Sequence, residues 1–201
     1  MNRWDERYTG DTFLFGTAPN AFLLAQQHRL PARGVALAVA DGEGRNGVWL
    51  AEQGLDVLAV DASSVGLAKG QQLAAQRAVT LRQEQADLAQ WDFGRARFEV
   101  IAAIFIQFAD PALRTRIFAG MQAALKPGGL LLLQGYRPEQ LVYRTGGPAQ
   151  AENLYTEPML REAFAALQIE QLTAHDDDIR EGGGHAGMSA LIDLVARKPA
   201  R

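Results

Sequence analysis

Residues 36–47 read ALAVADGEGRNG, an apolar run that breaks into Gly42, Gly44 and Gly47. Glycine has no Cβ, so a ligand can approach its backbone closely and a tight turn costs little strain. Asn46 and the N–H groups at the start of the helix expected next would face a carboxylate or a phosphate. The G-x-G-x-x-G spacing suits two chemistries, the pyrophosphate of a dinucleotide or the amino-acid end of another nucleoside cofactor.

Other residues along the chain could complete such a site. Asp61 closes the apolar run DVLAVD seventeen positions after Gly44, where a carboxylate can accept both hydroxyls of a ribose. The plainer role there is a helix cap, for which Ser63 competes. Asp87, in QADL, follows the third apolar segment and is placed to accept from an adenine amino group; a solvent-facing loop residue is the alternative. Glu181 and His185 lie four apart in REGGGHAG, where a histidine near neutral pKa takes or orients a proton. A solvated, glycine-flexible turn is the other reading. Gln107 and Phe108 follow the apolar run VIAAIFI at a position suited to contacting a substrate.

Composition removes several function classes. The 201 residues contain no cysteine, so disulfides, thiolate catalysis and cysteine-ligated zinc are excluded. His28, His175 and His185 are scattered, and Asp176, Asp177 and Asp178 read as a solvated loop, so no metal site is expected. A net charge of −3 with no Lys or Arg run argues against a nucleic-acid surface. The longest apolar stretch, residues 100–106, is too short for a bilayer, and the first twenty residues lack a signal-peptide core. The expectation is a cytoplasmic protein with no membrane partner.

The elements that must hold these residues alternate between short apolar runs and longer amphipathic segments. Strands are expected at 35–40, 56–61, 79–85, 100–106 and 129–135, and helices at 46–54, 63–78, 111–125 and from Thr156 through MLREAFAAL. Ser63 or Ser64 would cap the second of these helices, and Asp110 with Pro111 would open the third. Two strand-like runs, 167–175 and 189–198, are joined by DDDIREGGGHAG without a helix, which implies an antiparallel hairpin at the sheet edge. The order gives one doubly wound α/β domain over 1–201, with a mostly parallel seven-stranded sheet and a terminal hairpin. Residues 1–34 carry Trp4, Tyr8, Phe13, Phe15 and Phe22, a set that suits either a lid over the sheet or ordinary core packing.

GEGRN with Asp61, QADL at 85–88, LKPGG at 125–129 and the terminal hairpin resemble the class I S-adenosylmethionine-dependent methyltransferases. Trp4, FLFGTAPN at 13–20 and ARKP at 196–199 resemble in particular the tellurite-resistance and thiopurine methyltransferase-like branch. The resemblance implies a Rossmann-like fold and S-adenosyl-L-methionine held by Trp4, Asp41, Gly42, Gly44, Asn46, Asp61, Ala62, Ala86, Asp87, Leu88 and Ile104. It implies in-line methyl transfer to a small-molecule acceptor, with His185 as the catalytic candidate, in a monomer or homodimer. The family's D-x-G-x-G pattern is altered, since Ala38 and Ala40 hold the first two places and Asp41 stands just before Gly42. Two other readings are a non-catalytic module that binds the same nucleoside and a nicotinamide-dinucleotide oxidoreductase. The second is opposed by the lack of a Tyr-x-x-x-Lys pair and by the short length.

Overall fold

The computed structural model describes residues 3–200. Two short helices, α1 (Arg3–Arg7) and α2 (Ala21–Ala25), precede β1 (Val35–Val39), α3 (Arg45–Glu52), β2 (Asp56–Asp61), α4 (Ser64–Gln76) and β3 (Arg82–Gln85). Then come β4 (Phe98–Ile104), α5 (Pro111–Ala124), β5 (Leu125–Tyr136), α6 (Gln140–Tyr143), α7 (Glu157–Ala163), β6 (Gln168–Glu181) and β7 (His185–Arg197). The seven strands form one sheet in the order β3-β2-β1-β4-β5-β7-β6. The first five run parallel, and β7 returns antiparallel between β5 and β6. Strand order reverses between β1 and β4, so the loops after these two strands border the crevice where an open α/β sheet receives its ligands.

Apolar residues alternate along the central strands because successive side chains leave opposite faces. Leu37, Val39, Leu58, Val60, Ile101, Leu131 and Leu133 pack on one face with Ile117, Phe118 and Met121 of α5 and Leu160 of α7. Ala36, Ala38, Val57, Ala59, Val100 and Leu132 pack on the other with Phe22, Leu23, Val48, Leu50 and Leu73 of α2, α3 and α4. Burying one such large side chain contributes about 1.5–3 kcal/mol.

The helices begin where short polar side chains satisfy the first N–H groups. Ser63 accepts from Gly66 N at 3.0 Å, Asp110 from Leu113 N at 2.9 Å, and Asn20 from Leu23 N at 3.0 Å. Pro111 sits in the first turn of α5, as expected from its fixed φ.

Two boundaries differ from the sequence expectation. β3 is only Arg82–Gln85, because Val79 and Thr80 still belong to the turn that closes α4. The terminal hairpin is far longer than expected, with Asp176, Asp177 and Asp178 inside β6 opposite Ala190, Ser189 and Met188. Only residues 182–184 form the turn. Asp is a poor strand former, but the long β7 template supplies backbone partners that override this local preference.

Candidate functional site

The glycine loop has the geometry that its composition demands. Gly42 and Gly44 both lie in the left-handed region, at φ 57° and 88°, and Gly44 directly precedes α3. Ala40 is also left-handed at φ 50°, a conformation costly for a residue with a Cβ. Asp61, at the end of β2, is buried and accepts from Gly42 N and from Ser63 N, each at 2.8 Å. The carboxylate thus ties the β1 loop to the start of α4. Burial raises its pKa, opposed by those backbone donors.

Asp41 lies at the base of the loop, and its carboxyl group is buried. Its carboxylate accepts from Gly47 N at 3.1 Å, capping α3, which Gly44 cannot cap with a side chain. Burial, with the Asp61 charge adding to it, pushes the Asp41 pKa up to about 7. Asn46 is likewise occupied, its Oδ1 accepting from Asn20 N at 3.0 Å. Asp87 is exposed, and its Oδ1 accepts from Ala89 N at 2.9 Å. Ala62 and Ala86 flank the end of β2, where Ala86 N donates to Asp61 O, and Leu88 and Ile104 are buried. The β1–β3 end of the sheet therefore gathers Asp41, Gly42, Gly44, Asn46, Asp61, Ala62, Ala86, Asp87 and Leu88.

The opening segment closes over this end. A Cβ on Gly42 would lie 2.5 Å from the Tyr8 hydroxyl, and one on Gly66 3.0 Å from the Tyr8 ring. Asp5 Oδ1 accepts from Ser63 Oγ at 2.7 Å. Glu43 Oε2 accepts from Leu14 N at 2.7 Å, while its Oε1 pairs with Lys69 at 2.8 Å. Glu181 pairs with Arg45 at 2.6 Å and accepts from Asn20 Nδ2 at 2.9 Å, joining the hairpin tip, the α3 start and the opening segment. Both members of this pair are more than 90% buried. Two open depressions, of about 540 and 450 Å³, lie elsewhere, beside Arg137 and Tyr155 and along residues 140–149.

His185 is not in a solvated turn. It is 9% exposed and packs at 4.4 Å, centroid to centroid, against both Phe15 and Phe105, and at 5.8 Å against Tyr136. Burial, with Arg45 and Arg7 adding to it, lowers its pKa to about 3, so the ring is uncharged at ordinary pH. Phe105 follows β4 and Tyr136 ends β5, so the hairpin tip lies over the carboxyl ends of these strands. A row of rings, Trp4–Tyr8–Phe15–His185–Phe105–Tyr136, joins the glycine loop to this second region.

Sequence reasoning missed Phe105, Tyr136, Asn20 and Glu43. Asn20 carried a signal as the cap of α2; the convergence of Phe105 and Tyr136 arises only from the fold. Gln107 proves to be structural, donating to Tyr136 O at 2.9 Å and accepting from Tyr136 N at 2.6 Å. Phe108 is exposed.

Comparison with known proteins agrees with this geometry. Residues 36–129 match the family model described as a methyltransferase domain. No match to a curated protein was found. Among solved structures, an S-adenosylmethionine-dependent methyltransferase from Methanosarcina mazei is 18% identical with a TM-score of 0.70, covering 88% of this chain and 98% of its own. TehB from Haemophilus influenzae is 13% identical with a TM-score of 0.73, and the match covers 97% of this chain but 65% of TehB. The 1,6-didemethyltoxoflavin-N1-methyltransferase of Burkholderia thailandensis, solved with its substrate and S-adenosylhomocysteine, is 21% identical with a TM-score of 0.63, over 89% and 76% of the two chains. The neighbours also include a [4+2]-cyclase, SpnF. Over residues 36–129 the chain matches a methyltransferase domain, and over most of its length it shares the fold of these solved methyltransferases.

Proposed function

We propose that this protein transfers a methyl group from S-adenosylmethionine to a small-molecule acceptor, acting as one domain with residues 1–34 as its lid. The observation that carries this reading is the pairing of the buried Asp61 carboxylate with the Gly42 backbone at the strand-order reversal. The residues present fit the cofactor. A carboxylate has about four lone-pair positions, so Asp61 can accept from ribose hydroxyls beside its two backbone donors. The missing Cβ atoms of Gly42 and Gly44 make room for the Tyr8 hydroxyl and the Gly70 backbone, which packs the loop tightly, and Asp87 stays exposed on its turn beside it. Ala86, Leu88 and Ile104 supply apolar walls. Asp41 shapes the loop from behind.

When bound, S-adenosylmethionine supplies a methyl group already activated on a sulfonium, so alignment counts for more than acid–base help. Holding partners in line is worth up to about 7–11 kcal/mol in the best cases. Tyr8 and Trp4 stack with centroids 5.7 Å apart, and Arg7 lies over the Trp4 ring at 4.8 Å, a cation–π contact worth about 0.5–2 kcal/mol that helps to hold the lid. The segment anchored by Glu43 and Glu181 excludes water, which strengthens local electrostatics. His185 orients the acceptor as a neutral imidazole.

Ala40 in a strained turn and Asp41 committed to Gly47 favour one alternative, a module that binds the nucleoside without turnover. Calorimetric titration with S-adenosylmethionine, S-adenosylhomocysteine and NADH separates the readings. Binding of the first two, with methyl transfer to some member of a broad acceptor panel, is the expected result. Binding without transfer supports the module; binding of NADH alone overturns both.

A further inference from the structure

Buried polar groups in folded proteins almost always have hydrogen-bond partners, so the exceptions point to function or to a missing ligand. Among the described residues, His185 Nδ1 and the Tyr136 hydroxyl are buried side-chain atoms without one. They belong to neighbouring rings of a single cluster. Leaving each in this state is costly, because the buried group has given up water without gaining a partner. The third ring between them is also held at a cost: Phe105 has φ 55°, which for a bulky residue is a genuine outlier, and such strain gathers at functional sites. Its N–H donates to Gln134 O at 2.9 Å, so the backbone is pinned in that conformation and the ring lies face to face with Tyr136 at 4.7 Å. Gln107 fixes the Tyr136 backbone from both sides. Three independent features thus place two unpaired polar atoms on a rigid aromatic wall.

We propose that the Tyr136 hydroxyl and His185 Nδ1 form a two-point dock for the methyl acceptor, and that the acceptor is a flat, conjugated organic molecule bearing a hydrogen-bonding heteroatom. The proposal deepens the methyltransferase reading and rests on it for the identity of the site. Tyr136 donates its O–H to an oxygen or nitrogen of the ring system, and Nδ1 meets a second polar atom. The rings of Phe15, Phe105 and Tyr136 supply stacking and edge contacts, which favour a planar ligand. An inorganic oxyanion suits the dock poorly. The cations that act on His185 are already engaged, Arg45 by Glu181 and Arg7 over the Trp4 ring at 4.8 Å.

The test measures binding of three probes, 4-hydroxyquinoline, naphthalene and selenite, to the wild type, Tyr136→Phe and His185→Phe. Each protein is assayed with and without saturating S-adenosylhomocysteine, whose own affinity is titrated on the same samples. The wild type should prefer 4-hydroxyquinoline, and each variant should lose about ten-fold of that affinity, the loss expected for one hydrogen bond. Naphthalene binding should be unchanged, and Tyr136→Phe should melt no lower than the wild type because it removes an unpaired hydroxyl. Equal 4-hydroxyquinoline affinity in Tyr136→Phe, preference for selenite, or a lower melting temperature for that variant would each overturn the dock. Binding of S-adenosylhomocysteine with no binding of 4-hydroxyquinoline would overturn it too, while the methyltransferase reading stands. Failure of S-adenosylhomocysteine alone sinks that reading instead.

Discussion

The two ends of the crevice are built on opposite terms. At the β1–β2 end, the buried carboxylates are matched by the protein itself: Asp61 with Gly42 and Ser63, Asp41 with Gly47, Glu43 with Lys69 and Leu14. At the β4–β5 end, two polar atoms are buried unmatched among rings. The first end is shaped before any ligand arrives, which suits a cofactor shared across a superfamily. The second is held under strain, and a ligand that pairs those atoms gains what the resting protein forgoes.

The seam between the ends is the Arg45–Glu181 pair, and breaking it gives the largest expected effect. Glu181→Ala leaves a buried guanidinium without its carboxylate, which costs about 3–5 kcal/mol. Urea unfolding measures it; a loss below about 1 kcal/mol would mean the seam is not what joins the two ends. Asp61→Ala addresses the matched end, and should weaken S-adenosylhomocysteine binding by about 1.5–3 kcal/mol. Calorimetry checks this, and unchanged affinity removes the ribose role.

Acidity should separate the ends by sign. His185 has its folded pKa lowered from 6.5 to about 3, so the unfolded chain binds more protons in that window and stability falls as pH drops through it. Asp41 has its folded pKa raised from 3.8 to about 7, so the folded chain binds more protons there and stability rises as pH drops. Each slope is at most about 1.4 kcal/mol per pH unit. Unfolding free energies between pH 4 and 6.5 should show that His185→Phe removes the first slope and Asp41→Asn the second; parallel curves for all three proteins would refute the contrast. The smallest effect is Ala40→Gly, which relieves a left-handed alanine and should stabilise by about 1 kcal/mol, read as a higher melting temperature.

Features set by local chemistry were legible in the sequence. Ser63 and Asp110 cap helices through contacts three residues away, and Asp61 ends a strand whose apolar run is continuous. What stayed hidden depends on distant partners. The Asp176–Asp178 run looks like a loop until β7 is laid beside it. His185 sits among glycines and a nearby acid, a polar context that conceals its burial by Phe15 and Phe105, eighty or more positions away in the chain. Asp41 and Asn46 stand in the glycine loop as their positions suggest, but their bonds to Gly47 and Asn20 depend on the fold.

β6 is the open margin of the sheet and its longest strand, fourteen residues in all. Such a margin is a template on which a second molecule can add strand to strand and begin a fibril. Along its outer stretch Asp176, Asp177 and Asp178 follow one another, with Arg180 beyond. Two such margins brought together antiparallel would set like charges against each other, so the acidic run guards the molecule against clumping.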